Sequence, residues 1–176
     1  MKIIIYGSKY GTAKRYAEEI SKRTNIKLES YENLKNIEEY ETIIYIGALY
    51  AGGVLGMAKT LKKVVNCQNG KIIIATVGLA DPMNIENTNN IKNSMKKQLS
   101  NEIYEKAYFY HLRGGIDYSK LSFAHKTMMS LLYKKASILP EEKKTAEVKA
   151  MIDSYNKKVD FVDFVSLENI INEIQN

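Results

Sequence analysis

Five short runs of apolar residues, rich in Ile, Val and Tyr, most constrain what this chain can fold into. They cover residues 2–6, 26–30, 42–47, 71–77 and 106–112, with helix-length segments between the first four and again before the fifth. Strands that are apolar along their whole length are typical of sheets buried on both faces. Their alternation with helices is typical of parallel sheets. We therefore predict an α/β domain whose doubly wound, five-stranded parallel sheet carries helices on both faces.

Two of the intervening segments have apolar residues at the spacing of one helix face. The first stripe is Ala13, Tyr16, Ala17 and Ile20, and the second is Val54, Ala58, Leu61 and Val65. Both stripes should pack on the sheet. Because ligands of such folds bind beyond the carboxyl ends of the strands, we expect the loops after residues 6, 47 and 77 to converge on one site.

The loop after the first strand has the composition of an anion site. Ser8, Lys9, Tyr10, Gly11 and Thr12 lead from the strand into the first helix. Their backbone amides, their hydroxyls and the positive end of the helix dipole can surround one phosphate, and Gly11 allows close approach of the backbone. The alternative interpretation is that the hydroxyls only cap the helix.

Motifs of other phosphate-binding folds are missing. The chain has neither Gly-x-x-x-x-Gly-Lys-Ser/Thr, which is typical of nucleoside triphosphatases, nor Gly-x-Gly-x-x-Gly, which is typical of dinucleotide folds. A response-regulator receiver needs acidic residues at the end of its first strand, where Tyr6, Gly7 and Ser8 stand. The loop therefore predicts a monophosphate site.

Small residues follow the third and fourth strands. Glycines let a flat ring approach the backbone, and Tyr50 offers an aromatic face for stacking. These loops predict a planar aromatic ligand between two sets of residues. One set is Ala48, Leu49, Tyr50, Ala51, Gly52 and Gly53, and the other is Val77, Gly78, Leu79, Ala80 and Asp81.

Composition limits the class of protein. The 176 residues are 45% hydrophobic and carry a net charge of +6. This composition suits one domain, residues 1–176, with anionic partners other than nucleic acid.

The single cysteine, Cys67, cannot form an internal disulfide, and we predict no redox role for it. We also predict no metal, because His111 and His125 lack further ligands at metal-binding spacing. No apolar run reaches the roughly 20 residues that span a bilayer. We expect a cytoplasmic protein with at most peripheral membrane contact.

Residues 1–112 resemble the flavodoxin family. The segment from Ser8 to Ala13 matches part of the family's phosphate-loop pattern, hydroxyl-x-hydroxyl-Gly-x-Thr, and the two later loops match its isoalloxazine-binding loops in position. The resemblance implies the strand order 2-1-3-4-5 and flavin mononucleotide (FMN) as the cofactor. It places the phosphate on Ser8, Tyr10, Gly11, Thr12 and Ala13, and the ring between residues 49–53 and 78–81.

A partly helical insert, residues 113–158, is predicted after the fifth strand. It begins with Arg113 and two glycines and includes a helix-like segment at residues 125–135 that contains Met128 and Met129. This insert resembles that of the flavodoxin-like, oxygen-independent bacterial protoporphyrinogen oxidases. The resemblance implies an FMN-dependent oxidoreductase that passes electrons to a quinone. A second interpretation is that the stripe at residues 128–133 only packs the insert against the sheet.

The sequence leaves more than one function open. Positive charge and the insert favour an oxidoreductase acting on an anionic, porphyrinogen-like substrate. The lack of an evident catalytic side chain keeps a second candidate, an electron-transfer protein that docks to redox partner proteins. A third is a domain that has lost flavin, since Tyr10 and Ala13 depart from the family pattern. If flavin binds, Lys9 and Arg113 are expected to raise its potential.

Overall fold

The computed structural model describes residues 1–64 and 70–176, so the predictions for Val65 and Cys67 lie outside the described residues. The strands are β1 Lys2–Gly7, β2 Lys27–Ser30, β3 Thr42–Tyr50, β4 Gly53–Val54, β5 Lys71–Gly78, β6 Tyr108–Arg113, β7 Gly115–Asp117 and β8 Lys158–Asp160. The α-helices are α1 Thr12–Thr24, α2 Met57–Leu61, α3 Ile85–Gln98, α4 Asn101–Lys106, α5 Phe123–Ser137, α6 Ala146–Ser154 and α7 Glu168–Gln175. Short 3₁₀ helices cover Tyr118–Lys120, Glu141–Lys143 and Phe164–Leu167.

The central sheet has the order β2-β1-β3-β5-β6, and all four pairings along this path are parallel. Counted as the five long strands, this is the predicted order 2-1-3-4-5, so the predicted fold class is confirmed. The chain leaves β1 to one side for β2 and returns to its other side for β3, which puts the switch point between β1 and β3. At the carboxyl edge Gly7 pairs with Gly47, and Ala48 pairs with Val77.

Both faces of the sheet are buried because side chains alternate along each strand. On one face Ile4, Ile44 and Ile73 pack with α1 and α7, and on the other Ile3 and Ile5 pack with α2, α3 and α4. The predicted α1 stripe, Ala13, Tyr16, Ala17 and Ile20, is fully buried. The predicted helices on both faces are therefore present.

The predicted stripe on the second helix is wrong in part. Val54 belongs to strand β4, and α2 begins only at Met57, after Gly56 with φ of 76°. Met57, Thr60 and Leu61 form its buried face, whereas Ala58 is exposed. The turn at Gly56 shifts the helix start and so changes which residues face the sheet.

Strand β3 is three residues longer than predicted. It runs to Tyr50 and pairs antiparallel with β4 through Leu49–Val54 and Tyr50–Gly53. Ala51 and Gly52 connect the two strands with φ of 50° and 80°, as in a two-residue type I′ hairpin. The predicted loop at residues 47–53 is thus the end of a strand and a hairpin, which we call the β3–β4 hairpin.

A two-stranded neck joins the insert to the rest of the domain. Strands β7 and β8 pair antiparallel through Gly115–Asp160, Ile116–Val159 and Asp117–Lys158. Beyond the neck, a third apolar cluster is centred on Ile116, Tyr118, Leu121 and Met129. The ring of Tyr133 on α5 stacks on that of Tyr155, the residue directly after α6, with their centroids 4.0 Å apart. Among the described residues, no helix is long and apolar enough to cross a membrane.

Candidate functional site

The loop between β1 and α1 is held open for a ligand. Gly11 lies at the N-cap position with φ of 92°, a left-handed conformation that glycine adopts without strain. A Cβ atom added at Gly11 would meet nothing within 4 Å. The Gly11 amide donates to Ser8 Oγ at 3.1 Å, which fixes the turn. The loop therefore presents its backbone to open space.

The first turn of α1 has free donors. No side chain caps the helix, and its first turn contains no acidic residue, so the amides of Thr12, Ala13 and Lys14 lack intrahelical partners. The side chain of Ala13 is fully buried in the core, so residue 13 reaches this site through its amide. These amides and the helix dipole suit an anion.

The cations around this loop differ in how they are paired. Lys14 lies 3.5 Å from Glu18, and Arg15 lies 2.8 Å from Asp160. Lys9 is exposed and has no ion pair within the described ranges. Lys9 is therefore the cation of the loop whose charge is uncompensated by a neighbouring carboxylate.

A cavity of about 370 Å³ lies between the β3–β4 hairpin, the loop after β5 and the insert. We call it the ring cavity. It is mostly apolar, and it lies beside the β1–α1 loop because Thr12 forms part of its wall. Nine of the predicted site residues line it: Tyr10, Thr12, Ala48, Leu49, Tyr50, Ala51, Val77, Gly78 and Leu79.

The insert provides the other wall of the ring cavity. Its neck contributes Gly114, Gly115 and Ile116, α5 contributes Met128, Met129 and Leu132, and α6 contributes Glu147, Val148 and Met151. None of these residues is among the site residues predicted from the sequence. The paired methionines were the available signal, and they both pack in the third cluster and line the cavity.

Tyr10 contacts the insert. Its ring meets His125 edge-on at 5.7 Å between centroids. Its hydroxyl is buried and has no hydrogen-bond partner among the described residues. Burial, followed by the proximity of Tyr50, raises the pKa of Tyr10. A buried hydroxyl without a partner is costly. Tyr10 is also one of the residues that line the ring cavity.

Side chains on two sides form hydrogen bonds with the loop after β5. The amides of Leu79 and Ala80 donate to the Glu147 carboxylate at 3.3 and 3.1 Å. On the other side, Arg113 Nε donates to the Leu79 carbonyl at 3.1 Å, and its guanidinium lies 3.8 Å from the centre of the Phe161 ring. These contacts fix the loop between the insert and the end of β6.

Four of the predicted ring contacts lie away from the ring cavity. Ala80 and Asp81 line a second cavity of about 360 Å³, together with Arg113 and Lys149. Gly52 and Gly53 lie at the tip of the β3–β4 hairpin on α3. Ser94 Oγ donates to the Gly52 carbonyl at 2.7 Å, and the Val54 amide donates to Gln98 Oε1 at 3.2 Å.

Each of the two histidines lies within hydrogen-bond distance of a hydroxyl group. His111 Nδ1 lies 2.7 Å from Thr76 Oγ1, and burial, followed by nearby Lys92, lowers the pKa of His111 to about 4. His125 Nδ1 lies 3.0 Å from Ser122 Oγ. Within the described part of the chain, no group of three or more His, Cys, Asp or Glu residues is placed to hold a metal.

Solved structures similar to this chain are flavoproteins. One is a flavoprotein in complex with FMN from Lactobacillus acidophilus, with 14% identity, a TM-score of 0.44 and coverage of 64% of this chain and 91% of that chain. Another is a flavodoxin from the domain Archaea, with 20% identity, a TM-score of 0.37 and coverage of 63% and 85%. A cysteine-to-alanine mutant of flavodoxin from Pseudomonas aeruginosa has 16% identity, a TM-score of 0.41 and coverage of 78% and 97%.

The sequence itself shows the family. No curated protein matches the chain. Residues 3–143, by contrast, match the flavodoxin domain, and this range extends from β1 through α5 into the insert. The chain therefore belongs to the flavodoxin domain family.

Proposed function

We propose that this protein binds FMN and acts in redox chemistry. The observation that carries the proposal is the juxtaposition of two features at the switch point of the sheet. One is the uncapped first turn of α1, which suits a phosphate, and the other is the apolar ring cavity next to it. In this proposal the phosphate binds the loop from Ser8 to Ala13, and the flavin ring occupies the ring cavity.

The residues present fit this cofactor. Gly11 leaves open space above its backbone, and the side chain of Tyr10 packs against the insert. The large side chain at position 10 therefore does not fill the space that a phosphate would occupy above the loop. Tyr10 and Tyr50 both line the ring cavity and provide aromatic walls. These features argue against the alternative that the domain has lost flavin.

When bound, the flavin supplies the electron-transfer chemistry. The chain positions it and limits its contact with water. Met128, Met129 and Met151 close one side of the ring cavity with polarisable, apolar side chains. The β1–α1 loop binds the phosphate, and the β3–β4 hairpin, anchored on α3, keeps Tyr50 in place.

For the reaction, we favour an oxidoreductase of the protoporphyrinogen-oxidase type, with a quinone as electron acceptor. The insert that covers the ring cavity supports this assignment, because a covered ring suits turnover of a substrate bound beside it. The exposed lysines of α5, Lys126, Lys134 and Lys135, suit carboxylate-bearing substrates.

The second candidate is an electron-transfer protein that docks to redox partners. The outer side of the insert supports it, since Phe123, Leu131 and Ile138 are 87%, 63% and 83% exposed. Exposed apolar groups beside lysines suit an acidic protein surface or peripheral contact with anionic lipid.

The cofactor assignment is tested by titrating the protein with FMN and with riboflavin, which lacks the phosphate. We expect FMN to bind at least tenfold more tightly, because the first-turn amides of α1 bind its phosphate. Ser8→Ala should reduce this difference, because Ser8 Oγ fixes the turn through the Gly11 amide. Ser137→Ala, at the exposed end of α5, should leave it unchanged. Equal affinities of the wild-type protein for both flavins would contradict the proposed phosphate site.

The two candidate reactions are separated by turnover. An oxidoreductase of the proposed type oxidises protoporphyrinogen catalytically when a quinone such as menadione is present. An electron carrier accepts electrons from a reductase and shows no turnover with the porphyrinogen. The FMN-loaded protein is used in both assays, so that an absence of turnover cannot result from a missing cofactor.

A further inference from the structure

Among the described residues that line the ring cavity, Glu147 is the one with a carboxylate. Glu147 lies in the first turn of α6, and Thr145 Oγ1 accepts a hydrogen bond from the Val148 amide at 3.3 Å, which caps this helix. Glu147 Oε1 accepts from the Leu79 amide at 3.3 Å, and Oε2 accepts from the Ala80 amide at 3.1 Å. The insert thus places an ionisable group directly on the loop after β5.

This carboxylate is held closely against the loop. A Cβ atom added at Gly78 would lie 3.3 Å from Glu147 Oε2 and 2.7 Å from Leu49 Cδ1. Glycine at position 78 therefore leaves the room in which the carboxylate approaches the backbone. The two amide donors hold the carboxylate on the loop, because hydrogen bonds to a charged acceptor are strong.

No cation among the described residues of this wall balances the charge of Glu147. Of the described residues that line the ring cavity, Glu147 is the one with a formal charge at neutral pH. Arg113 and Lys149 line the second cavity instead. Arg113 donates to the Leu79 carbonyl, and Lys149 lies 3.0 Å from Glu141.

We infer that Glu147 lowers the midpoint potential of the flavin in the ring cavity; this inference rests on the proposed function. Reduction adds negative charge to a flavin, and a fixed carboxylate in an apolar cavity repels that charge more strongly than it would in water. The protein then binds the reduced cofactor more weakly than the oxidised one. The effect opposes the one expected from Lys9 and Arg113, whose guanidinium lines the second cavity.

Glu147→Gln tests this inference because it removes the charge and keeps the shape and one acceptor oxygen. We measure the dissociation constant of oxidised FMN and the two-electron midpoint potential. We expect the ratio of reduced to oxidised dissociation constants to fall about tenfold, which is a rise of about 30 mV for two electrons. Glu142→Gln, the same change at an exposed position of the insert, should leave the potential unchanged.

Glu147→Asp keeps the charge and provides a second test should the glutamine variant fold poorly. We expect it to retain the wild-type midpoint potential. An unchanged potential in Glu147→Gln, or an equal rise in Glu147→Asp or Glu142→Gln, would overturn the inference while leaving FMN binding intact. A wild-type protein that holds no FMN would overturn the proposed function and this inference together.

Discussion

At the scale of single residues, Ala51 carries the clearest backbone strain. It lies in the β3–β4 hairpin with φ of 50°, and the left-handed region costs a residue with a Cβ atom roughly 1 kcal/mol. Ala51→Gly should raise the free energy of unfolding by about 0.5–1 kcal/mol, measured by urea denaturation. Ala58→Gly, at an exposed position of α2, should lower it. A loss of stability in Ala51→Gly would contradict the type I′ turn.

His111 gives the protein a pH-dependent stability. Its pKa is about 4 in the folded protein and about 6.5 when unfolded. Between these values the unfolded chain binds more protons than the folded one, so stability is full above about pH 6.5 and is lost as the pH falls towards 4. The full shift corresponds to about 3 kcal/mol, and we expect about 2 kcal/mol because the ring is partly exposed.

The measurement is urea denaturation at several values of pH, with His111→Gln as the comparison. The variant should lose less stability than the wild-type protein between pH 6.5 and pH 4. Parallel curves for the two proteins would show that His111 is not the group responsible. Nε2 of His111 is buried without a partner among the described residues. A proton bound at Nε2 would therefore have no hydrogen-bond acceptor there.

At the scale of secondary-structure elements, Tyr16 joins α1 to both ends of the insert. Its hydroxyl donates to the Arg113 carbonyl at 2.8 Å and accepts from the Asp163 amide at 3.0 Å. Tyr16→Phe should cost about 1–2 kcal/mol of stability, because two partly buried backbone groups lose their partner. Hydrogen exchange at the Asp163 amide should also accelerate.

The matched control is Tyr108→Phe, since Tyr108 is 45% exposed. We expect a change in the free energy of unfolding of less than about 0.5 kcal/mol. If Tyr16→Phe is equally neutral and the Asp163 amide exchanges at the wild-type rate, Tyr16 does not hold the neck of the insert.

The long elements could be predicted from the sequence, whereas the short ones could not. β1, β3 and β5 are apolar on both faces, and the α1 stripe has the helical period, so local pattern and tertiary burial agree there. β4, β7 and β8 have two or three residues each, too few for any periodicity. Their pairing depends on the turn at Ala51 and Gly52 and on close packing at Gly115, where an added Cβ would lie 2.3 Å from the Val159 carbonyl.

At the scale of the whole molecule, one part of the site could be predicted from the sequence and another part could not. The loops after β1, β3 and β5 were predictable because parallel strands bring their carboxyl ends to one edge of the sheet. The wall formed by the insert was not predictable, since Glu147 is 68 positions from Leu79 in the sequence. Nothing local to α6 indicates that its first turn faces the loop after β5. The electrostatics of the site therefore follow from the tertiary fold.

If the ring cavity and the β1–α1 loop together hold FMN, the purified protein should retain this cofactor. The measurement is to add FMN, desalt the protein and record its visible absorption spectrum. We predict retained flavin absorption at close to one FMN per chain, with loss of most of it in Gly11→Val, because a β-branched residue cannot adopt φ of 92° without strain. A colourless wild-type protein after desalting would show that the ring cavity and the β1–α1 loop do not hold FMN.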